Sequence, residues 1–328
     1  MADRVQVVLD SDDDYFPPDE ADIILYDATS GKFLPRKLVE VLAEMGLTDA
    51  FGRQRVSDPQ VLFEGKCVLD EQPLLYDDAE TSGSGTGTSH SAATASVTLS
   101  VGATTAGTRV RQSKRRMAYQ PGKSQLSFIT FTMGAAATGI TRRVGLFDED
   151  NGVFLEQTST GLAFVRRTSV TGSAVDNTTA QASWSEDTMD GNGPSGITLD
   201  MTKSQILILD YEWLGVGIVR LGFVIDGAIV YAHYMKHTNL LAGVYTSTPN
   251  YPVRYEIAND GTGAASDLET ICASVMSEGG AEVTGITRTI DRGTTAFTTG
   301  NDTNLYPVLA LRLDAAELQA TVRVTDID

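Results

Sequence analysis

The sequence predicts a mainly β protein, an antiparallel sandwich of the jelly-roll kind carrying a small N-terminal α+β element. Three observations predict it. Residues 206–213, 219–225 and 228–234 are dense in β-branched and aromatic side chains, and Asp226-Gly227 separates the last two. That dipeptide supplies the positive-φ residues of a tight hairpin, so the register of those strands is set locally. Short apolar segments recur along the chain with Gly, Asn and Asp between them and without intervening helical patterns, which points to antiparallel strands and not to βαβ units. One segment alone reads clearly as a helix.

In chain order, residues 5–9 alternate as a strand and residues 21–26 form a second apolar run, together a small hairpin-like element. Pro35 opens the helix candidate, Leu38, Leu42 and Met45 share one face of it, and Gly46 suits its left-handed stop. A helix that short needs a packing partner for its apolar face. Residues 81–90 are a Gly/Ser/Thr-rich stretch expected as a linker or surface loop, and residues 95–101 follow with clean alternation. Strands are expected at 125–133, 142–147, 152–156, 162–166 and 205–211, with Asn151-Gly152 turning the second into the third. Further strands are expected at 270–276, 307–313 and 320–324. The chain then divides into an attachment element (1–47), an extended arm with the Gly/Ser-rich loop (48–94) and the sandwich body (95–328).

The 328 residues suffice for a full core, and 43 Asp and Glu against 25 Lys and Arg give a net charge of −18. Such a balance excludes a nucleic-acid groove, which needs clustered cations. The basic cluster holding Arg109, Arg111, Arg115 and Arg116 is a candidate contact for an acidic neighbour, or else a strand with a solvated face. Cys67 and Cys272 fit neither a disulfide framework nor a zinc site and are expected as buried thiols. His233 and His237 stand four apart, a spacing that a strand makes poor for metal. Asp10, Asp12 and Asp14 have calcium-loop spacing, but Tyr15, Phe16, Pro17 and Pro18 take the place of the glycine and distal glutamate. No phosphate loop, dinucleotide fingerprint or nucleophile elbow is present, so no cofactor and no catalytic residue are expected. The paired carboxylates among residues 148–156 and 210–212 are what chance supplies in an acidic chain. Trp184, between Ser183 and Ser185, is the candidate glycan contact, whereas Trp213 ends an apolar strand and is expected in the core. No signal pattern or apolar run of spanning length occurs, so membrane insertion is not expected and the chain is expected to be made in the cytoplasm.

Residues 49–63 carry an Ala-Phe-Gly-Arg-x-Arg-Val-Ser segment, 119–124 a Tyr-Gln-Pro-Gly-Lys-Ser motif, and 142–154 and 251–257 two further segments in the same order. In these the chain resembles a group of tailed-bacteriophage structural proteins, over roughly residues 49–280. The Asp226-Gly227 hairpin also resembles the core hairpin of concanavalin-like sandwiches. The resemblance implies a non-enzymatic virion component, on the tail or baseplate or decorating the capsid, that contacts other virion proteins. Copies are expected to assemble as a symmetric homo-oligomer, a trimer. Arg53 and Arg55, two apart on one face of an extended segment, are candidate assembly contacts. Residues 1–48 lie outside the resemblance and are expected to anchor the copy to its own particle. The alternative is an adhesin whose sandwich binds host-surface glycan.

Overall fold

The computed structural model describes residues 58–279, residues 48–50, Arg53, and the backbone of two N-terminal strands. Those strands, β1 (Asp22–Asp27) and β2 (Lys32–Lys37), pair antiparallel with Leu25 opposite Leu34. The second apolar run is therefore a strand as expected, while residues 5–9 lie outside the described residues. The start of the expected helix is corrected, because Pro35 lies inside β2 opposite Ile24. A two-stranded ribbon leaves one side of each strand open, and a strand there accommodates a proline whose nitrogen faces that side. Residues 38–46 are outside the described residues, as are the strands expected at 307–313 and 320–324.

The sandwich follows as β3 (Gln60–Lys66), β4 (Tyr76–Gly83), β5 (Thr86–Ser91), β6 (Ser96–Val101), β7 (Gly107–Ser113), β8 (Gln125–Thr132), β9 (Ile140–Phe147) and β10 (Gly152–Thr158). It continues with β11 (Gly161–Thr168), β12 (Val175–Ala180), a short 3-10 turn at Gln181–Ser183, β13 (Gln205–Tyr211), β14 (Val219–Ile225), β15 (Ala228–Met235), β16 (Val253–Asn259) and β17 (Ser266–Ser277). One sheet has the order β12-β11-β10-β9-β16-β7-β4 and the other β15-β14-β13-β8-β17-β6-β5, with β3 also pairing β17. All pairings among the described residues are antiparallel. The β-sandwich class read from the sequence is the observed one.

Alternation places Leu207, Leu209 and Tyr211 of β13 in the core between the sheets, with Val144, Leu155 and Phe164 facing them from the other side. Asp226 and Gly227 take φ of 51° and 81°, and Ile225 pairs with Ala228, so the expected hairpin forms in the expected register. At the β9–β10 turn, Asp148 Oδ1 accepts the N–H groups of Asp150 and Asn151 at 2.8 and 2.7 Å. Gly152 there has φ 140°, and a Cβ on it would run into Phe147.

Two further expectations are corrected. The 81–90 stretch is no linker: it is the end of β4 and most of β5, one in each sheet. Gly83 and Gly85, at φ 68° and 74°, turn the corner from sheet to sheet, and the intervening threonines are good strand residues. The sandwich accordingly begins at β3, ahead of residue 95. Cys67 is buried, but Cys272 is exposed, because the β17 alternation sends Ala273 and Val275 inward and Cys272 outward.

Candidate functional site

The outer face of the seven-stranded sheet carries an unusual side-chain set for a solvated surface. Since Val144, Leu146, Leu155 and Tyr255 point into the core, the alternate residues Arg143, Phe147, Phe154, Arg254 and Glu256 point away from it. Phe147 and Phe154 meet with ring centroids 4.3 Å apart and, with Ala163 and Val165, form a second apolar cluster. Guanidinium groups cover these rings. Arg254 lies 5.4 Å from the Phe147 centroid, and Arg167 and Arg143 lie 5.2 and 5.8 Å from that of Phe154.

The same arginines tie the surface together ionically. Arg143 donates to Glu156 at 2.7 Å and to Glu256 at 2.5 Å, and Arg254 donates through two nitrogens to Glu256 at 3.1 and 2.7 Å. Arg167 forks onto both oxygens of Asp176 at 2.8 Å. Burial by itself would raise the Glu256 carboxyl, but Arg254 and Arg143 outweigh it and hold the group below the ordinary glutamate range. Burial likewise opposes the charge on Arg143, and Glu256 with Glu156 raises its pKa above the usual value. Glu156 and Glu256 thus share one guanidinium, and Glu256 is held as an acceptor of hydrogen bonds and not as a proton donor.

Above this lattice lies an open trough of about 500 Å³, lined by Thr81, Thr108, Glu149, Arg167, Arg254 and Glu256 among others. A second depression of about 340 Å³ shares Thr108 and continues to Thr141, Thr158, Asn259 and Asp260. Hydroxyls, carboxylates and guanidinium edges on a fixed floor suit a neutral, polyhydroxylated ligand that both donates and accepts.

A second polar cluster ties residues 48–53 to the outer face of the other sheet. Ser124 Oγ donates to Asp210 Oδ1 at 2.7 Å and accepts the Ala50 N–H at 3.4 Å. Arg220 is ion-paired with the fully buried Asp210 and donates to the Thr48 carbonyl at 2.7 Å, while Tyr231 OH donates to Asp210 at 3.0 Å. Each member has a charged or hydrogen-bonding partner, the condition under which a buried ion pair is tolerated.

The expected site residues scatter. Arg53 forks back onto Asp49 at 2.8 and 2.6 Å, and Arg55 lies outside the described residues. Arg109 donates to Thr88 at 2.7 Å. Arg111 is corrected as a contact: it is fully buried, donating to Asp78 and to the Glu71 carbonyl at 2.5 Å each beneath the Tyr76 ring. Arg116 is paired with Asp148, and Arg115 is exposed. Strand alternation explains the dispersal, since residues two apart on β7 point into the sandwich together.

Trp184 is also corrected. It is 5 % exposed, stacked on Phe164 at 4.4 Å, with Nε1 donating to the Thr179 carbonyl at 3.3 Å, so it offers no face to a sugar. Its serine neighbours are exposed, and a single inward ring in a polar segment leaves no periodic signal. Trp213 packs against the core as expected. His233 accepts the Ser185 N–H at 3.1 Å, and His237 contacts the Gly217 carbonyl at 2.6 Å. The Asp10–Asp14 segment lies outside the described residues. Arg143, Arg254 and Glu256 were not singled out from the sequence. The signal was there in charges alternating with apolar residues, as in Arg254, Tyr255, Glu256 and Ile257.

No family model and no curated protein matches the chain. Solved structures do. A Bacillus licheniformis beta-glucanase is 11 % identical, covering 66 % of this chain and 97 % of its own, with a TM-score of 0.42. A glycoside hydrolase family protein from Mycobacterium thermorestibile is 11 % identical over 65 % and 99 %, at 0.46. The carbohydrate recognition domain of Emp47p is 8 % identical over 68 % and 98 %, at 0.40. At these identities the likeness is one of fold. It corrects one expectation: structures of this architecture include glucanases and a lichenase, so the non-enzymatic reading does not stand.

Proposed function

We propose that the chain is a virion component of the tailed-bacteriophage group its motifs resemble, a sandwich body held among neighbouring proteins on the tail or baseplate or on the capsid surface. The observation that supports this reading is where the shared residues sit. Asp49, Ala50 and Ser124, from two separate motifs, meet in the polar joint that ties the arm to the body. Arg143, Phe147, Phe154, Arg254 and Glu256, from the other two, build the outer-face lattice. The common residues thus secure an arm and stiffen a face, which is what a part fixed in a larger particle requires. The test is to purify particles of the phage that encodes the chain on a density gradient and quantify the protein by mass spectrometry. A fixed copy number per particle is expected, and absence from intact particles overturns the reading.

A second reading, recognition of host-surface glycan, is favoured by the trough and its fixed polar floor. It replaces Trp184 with the Thr81–Thr108 region as the contact. Thr81 is exposed at the rim, so Thr81→Trp fills the trough and leaves the lattice intact. Saccharide-array binding that disappears in Thr81→Trp is expected under this reading, and no binding by folded wild-type protein removes it. Release of reducing sugar from the same panel separates hydrolysis from recognition.

A further inference from the structure

The strand edges at β15, β4, β5 and β12, the ends of the two sheet paths, are treated differently. β15 is covered: Glu186 and Asp187 both donate backbone N–H groups to the Ala232 carbonyl, and Tyr234 N donates to Ser185 Oγ. β4 carries Asp77, Asp78 and Glu80 and is broken by a bulge between Glu80 and Ser82. β5 is joined to β4 through the glycine corner and through Thr86, whose N–H and hydroxyl donate to Glu80 at 3.1 and 2.8 Å. These are the devices that keep strand edges from pairing with other chains.

β12 has none of them. It pairs with β11 in unbroken register over six residues, is exposed at every position but Thr179, and holds no Lys, Arg or Pro. Its lone charge, Asp176, is taken up by the Arg167 fork. Among the described residues it is a neutral, uncovered edge on a chain of net charge −18. Val175 and the nearby Val170 are 48 % and 46 % exposed. The Thr179 carbonyl is already bonded to Trp184, which places the open part of the edge at Val175–Thr178 and its centre beside Asn177.

We propose that β12 pairs antiparallel with β12 of a second copy, about a two-fold axis at Asn177 perpendicular to the sheet. Such an axis relates residues of equal parity, so Asn177 meets Asn177 of the other copy, and Asp176 meets Thr178 on the shared outer face. No like charges oppose each other in this register. A register one residue earlier would set Asp176 against itself. The two seven-stranded sheets join edge to edge, and the axis keeps their outer faces on one side. Both troughs then open in the same direction, an arrangement that gives two-site binding to any extended ligand. This is a two-fold pair, in place of the threefold assembly expected from the sequence.

The test is light scattering on the full chain over a micromolar concentration series. The expected mass is twice 35.1 kDa. Asn177→Lys brings two like charges together at the axis and weakens association by roughly tenfold or more, as does Asn177→Asp. An equimolar mixture of the two variants restores the dimer by setting Lys against Asp. Residue 177 is exposed, and circular dichroism confirms that each variant is folded. A single-chain mass throughout, a trimer, a dimer indifferent to either substitution, or a mixture that stays apart overturns the proposal.

Discussion

His237 illustrates how far burial can move a residue from its solution chemistry. Its ring is 2 % exposed, stacked 4.1 Å from Tyr245, with Nδ1 on the Gly217 carbonyl. Burial drives its pKa down to about 4, against the pull of that carbonyl. The unfolded chain takes up the proton near 6.5 and the folded one near 4, so this contribution to stability is complete above pH 6.5. It is lost as pH falls toward 4, by at most about 3 kcal/mol. Urea titrations are expected to show that slope and to lose it in His237→Gln; an unchanged slope sinks the assignment. Glu256 acts in a lower window, since its pKa is depressed: its share is present above the ordinary glutamate value and fades as acid protonates it in the fold. Trp184→Ala removes a core ring, and its expected effect is a loss of about 3–5 kcal/mol in denaturant unfolding. Nothing local could have announced that, because Ser183 and Ser185 on either side are solvated.

At the level of elements, local chemistry was a good guide wherever a turn demanded special backbone angles. The Asp226-Gly227 hairpin formed as expected, and the β9–β10 turn depends on Gly152 in the same way. Gly152→Ala adds a Cβ against Phe147 at a φ of 140°, and a loss of about 2–4 kcal/mol is expected in thermal unfolding. Glycine misled at 81–90, where Gly83 and Gly85 serve a corner between sheets and composition alone suggested a flexible loop. Proline misled at 35, where a ribbon strand accommodates it as readily as a first helical turn does. The joint of arm and body is the element that two distant motifs share. Ser124→Ala leaves Asp210 and the Ala50 N–H each one partner short, with about 1–3 kcal/mol lost. Hydrogen exchange at the Ala50 amide is expected to quicken more than exchange in β8, and equal protection of both would show that the arm is held by other contacts.

For the whole molecule, the charge of −18 opposes any meeting of copies, so assembly through the neutral β12 edge is expected to tighten with salt. Raising ionic strength from about 0.02 to 0.5 M shortens the screening distance severalfold and should lower the dimer dissociation constant. Weakening with salt would instead mark an ionic interface. Sequence alone determined the fold class, most strand positions and the hairpin register, because alternation and turn angles are properties of a few adjacent residues. Tertiary structure decided what the charges do. Arg143 meets Glu256 across 113 residues because β9 lies beside β16, and Arg111 meets Asp78 across 33 because β7 lies beside β4. Strand order is set by the packing of the entire core, and no local pattern encodes it, so the ionic face, its trough and the uncovered β12 edge became visible only once the sheets were assembled.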